Sequence, residues 1–73
     1  MDYKKIIEKL EEDILEVDAG TLQADTKLSE LDEWDSLAKL ALMAFAKKEF
    51  DKVLTANLIR EFVTVEDICK AVL

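Results

Sequence analysis

The chain has 73 residues, a net charge of −7 and 51% hydrophobic residues. A domain this small lies near the lower limit of what folds unstapled, and a lone cysteine, Cys69, excludes an internal disulfide, so the core must supply the stability. The acidity argues against nucleic acid and against anionic membrane surfaces as partners.

The charge is unevenly placed. Residues 1–35 carry twelve acids and four lysines, leaving −8, whereas residues 36–73 carry five acids and six bases, leaving +1. An acidic first half suits a partner with a basic patch, and solubility alone explains it equally well. The absence of proline, with one glycine, favours helices. The longest apolar run, Leu40 to Ala46, has seven residues, against the roughly 20 of a membrane span. With no signal-peptide pattern and a single thiol, the expected compartment is the cytoplasm.

Tyr3, Ile6, Ile7, Leu10, Ile14 and Val17 recur at spacings of three and four and predict a first helix with one apolar stripe. Lys4, Lys5, Glu8, Lys9, Glu11 and Glu12 are expected to face water, Asp2 to cap the start, and Asp18-Ala19-Gly20 to stop the helix. Residues 18–35 lack helical periodicity, and so long a loop needs its own tethers. Leu22, Leu28 and Leu31 are the candidates, with a short turn around Ser29 to Leu31.

A second helix is predicted from Ser36 or Leu37 to about Phe50. Its expected buried face is Leu37, Leu40, Ala41, Ala44 and Phe45, widened by Leu42 and Ala46, with Ser36, Lys39, Lys47 and Lys48 as the polar line and Met43 among them. Thr55 is placed to cap a brief helix over Ala56 to Glu61, turning Leu58, Ile59 and Phe62 inward. Thr64-Val65-Glu66-Asp67 reads as a capping box that opens a last helix bearing Val65, Ile68, Cys69 and Val72. The fold class expected is all-α: one domain over residues 1–73, a four-helix bundle with a long first loop and a short third helix.

The inventory argues against catalysis. There is no histidine, so Ser-His-Asp chemistry and His-based metal sites are excluded. Gly20 stands alone, which excludes a glycine-rich phosphate loop. Asp32, Glu33 and Asp35 do not fall in an EF-hand register, so no metal site is expected. The carboxylate pair Glu11-Glu12 is read as part of a solvated face. Cys69 is read as a small core residue. Ser36, at the head of the second helix behind an acidic loop, has two readings. It is an N-cap worth about 1 kcal/mol, or it is a point of attachment whose anion the helix N-terminus accommodates.

Asp35-Ser36-Leu37, framed by Asp25-Thr26-x-Leu28-x-Glu30-Leu31 before it, Lys48-Glu49-Phe50 after it and Thr64-Val65 at the last helix, resembles the acyl carrier protein family over nearly the whole chain. That resemblance implies 4′-phosphopantetheine on Ser36, installed by a separate phosphopantetheinyl transferase, with Asp35 and Leu37 completing the attachment motif. It also implies a monomer that carries acyl or aminoacyl thioesters between loading and transferring enzymes, without enzymatic activity of its own. Trp34, Leu37, Lys39, Met43 and Lys47 are then the docking candidates, and Leu42, Ala46, Leu54, Ile59, Phe62 and Ile68 the candidates for lining an acyl pocket. There are two departures: Asp32-Glu33-Trp34 replaces the usual glycine, and the second helix bears Ala38, Lys39, Ala41, Lys47 and Lys48 where fatty-acid carriers bear acids, a reversal that points to a specialised stand-alone member. The rival reading is a noncatalytic helical interaction domain in which Ser36 is only a cap.

Overall fold

The computed structural model describes residues 3–73; the Asp2 cap lies outside the described residues. Among them the secondary structure is helical, with no strand and one isolated antiparallel bridge between Lys27 and Thr64. Helix α1 spans Tyr3–Lys9 and passes into a π-helical turn at Leu10–Ile14. After a long loop containing a 3₁₀ turn at Leu28–Glu30 come α2 (Ser36–Phe50), α3 (Ala56–Arg60) and α4 (Val65–Val72). α1 packs on α4, and the π turn packs on α2.

The π turn corrects the expected uniform first helix. Leu15 N–H donates to Leu10 O at 2.8 Å, a five-residue step that inserts one extra residue into the stripe. Leu15 therefore enters the core below Ile6 and Leu10, while Ile14 is only half-buried. The stop also differs from expectation. Glu16 takes a left-handed conformation (φ 55°) and Val17 N–H closes back on Glu11 O at 2.8 Å, so the chain leaves the helix before Gly20.

The loop is tethered as expected by Leu22 and Leu28, both buried, and by half-buried Leu31. It is also stitched to α4 through the backbone. Val65 N–H donates to Thr26 O at 3.0 Å and Glu66 N–H to Ala24 O at 2.8 Å, while Leu28 N–H donates to Val63 O at 2.9 Å. The first amides of a helix have no partner within it, and here the loop carbonyls supply two. The capping box forms, with Asp67 Oδ2 accepting from Val63 N–H at 2.8 Å and Thr64 N–H at 3.1 Å. Those two amides hold the Asp67 carboxyl below its ordinary range.

On α2 the buried residues are Ala38, Leu42, Phe45 and Ala46, completed by Ile59 and by Val65, Ile68, Cys69 and Val72 of α4. The expected inward face is corrected: Leu37 is 76% exposed, Leu40 is 61% exposed and Ala44 is exposed as well. Leu58 of α3 is exposed too, leaving Ile59 buried and Phe62 half-buried. No helix of the described residues is long and apolar enough to cross a membrane.

Candidate functional site

The head of α2 is built by Asp35. Its backbone is extended and its Oδ1 accepts the Ala38 N–H at 2.9 Å, while its carbonyl accepts the Lys39 N–H at 3.0 Å. Asp35, not Ser36, is therefore the N-cap, which corrects the reading of Ser36 as a cap. Aspartate caps as well as serine, and the carboxylate one residue earlier takes the role. Ser36 becomes the first residue of α2 and is exposed, with its hydroxyl uncommitted to the helix end. A phosphodiester at this position would meet the amides of Ser36 and Leu37 and the positive end of a 15-residue helix. The residues present therefore fit a covalently attached phosphopantetheine.

Beside Ser36 lies an open cleft of about 370 Å³ between the π turn and α2. Ile14, Leu15, Leu37, Ala38 and Ala41 make its apolar lining, and Asp13, Glu16, Glu33 and Asp35 make it acidic. Among the described residues no group of three or more His, Cys, Asp or Glu side chains could hold a metal ion.

The docking candidates divide. Leu37 and Lys47 lie on the outward face of α2 with Leu40, Ala44 and Lys48, all exposed; Lys47 Nζ pairs with Asp51 Oδ1 at 2.8 Å. Trp34, Lys39 and Met43 are half-buried. The Lys39 ammonium lies 5.8 Å from the centre of the Trp34 ring, a cation–π pair that ties the loop to α2. Leu40 and Ala44 were missed as surface residues, because α2 is apolar nearly all round and its periodicity does not fix which side turns inward.

The six candidates for an acyl pocket sit in the interior. Leu42, Ala46, Leu54, Ile59 and Ile68 are buried in one packed cluster, Phe62 is half-buried against it, and none of the six lines the cleft beside Ser36. Cys69 is buried, and burial, with Glu66 nearby, pushes its thiol up to about 11.

Glu11 lies elsewhere than the solvated face expected from the sequence. It is 3% exposed rather than solvated, and its Oε2 accepts both the Gly20 and the Leu22 N–H at 2.9 Å. Comparison with protein-family models, curated protein sequences and solved structures found no match.

Proposed function

We propose that this chain is a carrier protein of the acyl-carrier type, a four-helix bundle with a long first loop, bearing 4′-phosphopantetheine on Ser36. The observation that carries this reading is the division of labour at the head of α2: Asp35 caps the helix and leaves Ser36 exposed, with its hydroxyl not bonded to the first turn. A serine so placed needs no base in its own chain, because a separate phosphopantetheinyl transferase performs the chemistry. Cargo is held as an acyl or aminoacyl thioester on the arm, in the cytoplasm, by a monomer.

Partner enzymes dock on the outward face of α2, where Leu37, Leu40 and Ala44 form an apolar row ending at Lys47 and Lys48. That row carries no acid before Glu49, so basic patches of the kind that fit fatty-acid carriers gain little from it. The cargo enzymes are therefore specialised ones. Seating an acyl chain among Leu42, Ala46, Leu54, Ile59, Phe62 and Ile68 requires core contacts to open.

The test is direct. Incubation with coenzyme A, magnesium and a broad-specificity transferase raises the intact mass by one phosphopantetheinyl group, and Ser36→Ala abolishes the gain. No gain in the native chain, or an equal gain in the variant, overturns the reading.

A further inference from the structure

A second open cleft, of about 520 Å³, lies between α1 and the loop and shares no lining residue with the cleft beside Ser36. Its apolar surface comes from Ile7, Ala19, Leu22 and Ala24. Glu8 and Glu11 also line it, with exposed Lys4. The geometry points to a binding site here for a small organic ammonium with a short apolar body, a function independent of the carrier reading.

The reason is the state of Glu11. Nine-tenths or more of this side chain is buried, yet both of its side-chain hydrogen bonds fall on one oxygen, Oε2. No fully buried side-chain oxygen among the described residues lacks a partner. The second oxygen, Oε1, is therefore not sealed from solvent, and this cleft is an open space that Glu11 lines. A carboxylate oxygen accepts more than one bond, and a charge-assisted bond to an ion is stronger than a neutral one.

The chemistry of the ligand follows from the lining. An ammonium donates to Oε1 while its alkyl body covers Ile7, Leu22 and Ala24. An anion is repelled by two carboxylates against one lysine. A purely apolar ligand strips water from Oε1 and leaves it unpaired, which costs free energy. A divalent metal ion finds no group of three ligands among the described residues.

The clamp supplies its own reporter, because the amides of Gly20 and Leu22 share the carboxylate that would bind the ligand. The ¹⁵N-labelled chain is titrated with n-hexylammonium chloride, and separately with hexanoate and hexanol at equal ionic strength. The ammonium alone is expected to shift the Gly20 and Leu22 amide resonances to saturation. Glu11→Gln, which keeps an acceptor for both amides and loses the charge, is expected to weaken binding about tenfold. Ala24→Phe fills the cleft with the clamp intact and is expected to abolish binding. Equal shifts with hexanol, a response that does not saturate, or Ala24→Phe binding as well as the native chain overturns the site. Should Glu11→Gln lose its dispersed spectrum, Ala24→Phe decides.

Discussion

Glu11 Oε2 accepts the Leu22 N–H at 2.9 Å, joining the π turn to a loop residue eleven positions away. The same oxygen accepts Gly20 N–H at 2.9 Å, so one buried carboxylate holds the first turn of the loop while Leu22 fills the core beneath it. Truncating Glu11 to Ala leaves both amides without that partner. Each unpaired buried group costs about 1–3 kcal/mol, and water reaches Gly20 more easily than Leu22. The expected loss for Glu11→Ala is therefore about 2–4 kcal/mol by urea denaturation, and about 1 kcal/mol for Glu11→Gln. A Glu11→Ala variant within about 0.5 kcal/mol of the native chain would mean the clamp contributes nothing to stability.

At the head of α2, the capping carboxylate and the exposed hydroxyl fall on neighbouring residues, Asp35 and Ser36. Asp35→Ala removes the cap on Ala38 N–H and is expected to cost about 1 kcal/mol. Ser36→Ala removes an exposed hydroxyl that caps nothing, and is expected to stay within about 0.5 kcal/mol. Thermal or urea unfolding of the two variants tests this. A larger loss for Ser36→Ala than for Asp35→Ala would restore serine as the cap.

How much of this was legible in the sequence depends on how one-sided each segment is. Val65, Ile68, Cys69 and Val72 lie on one face of α4 with Glu66 and Lys70 opposite, so that helix and its core residues were readable, as were the caps Thr55 and Thr64. α2 gave its length but not its rotation, since Leu37, Leu40 and Leu42 look alike in hydropathy and only tertiary packing selects Leu42. The π turn was not legible, because nothing in Leu10–Ile14 distinguishes a five-residue step from a four-residue one. Glu11 followed from that: an acid beside an apolar stripe reads as solvated unless the amides that will meet it are known. The serine of the candidate site was legible, but its freedom from capping duty was not.

α2 ends with Asp51 in a left-handed conformation at φ 55°, where Lys52 N–H donates to Ala46 O and Asp51 N–H to Lys47 O, each at 3.2 Å. A side chain at this position costs roughly 1–2 kcal/mol that glycine does not. Asp51→Gly also breaks the exposed ion pair with Lys47, worth about 0–1 kcal/mol. The net expectation is a gain of about 0.5 kcal/mol, read as a rise in the urea midpoint. A fall would show that the Lys47 pair outweighs the backbone strain.

Asp67 makes stability depend on pH in a defined window. The Val63 and Thr64 amides hold its folded pKa below the ordinary value, so the unfolded chain takes up the proton first as the solution is acidified. The stabilisation is present above the unfolded value near pH 4 and fades as pH falls through the folded one. Native chain and Asp67→Asn are therefore expected to differ in stability at pH 6 and to converge below about pH 4. Parallel curves across that range would remove Asp67 as the source.

Cys69 is a buried free thiol, so its reactivity can be told apart from that of the arm proposed for Ser36. Its side chain is buried beside Val65, Ile68 and Val72, and burial pushes its pKa up to about 11 from the ordinary 9.0, so almost no thiolate is present at pH 8. The raised value also means that stability falls as pH climbs above 9.0, where the unfolded thiol ionises and the folded one does not. At pH 8 the chain as translated is expected to react with a disulfide reagent only as fast as it unfolds. Once phosphopantetheine is attached, one thiol per chain should react at the rate of a free thiol, and Ser36→Ala should show no such phase. Rapid reaction of the unmodified chain, lost in Cys69→Ala, would place Cys69 at the surface and contradict the packing of α4.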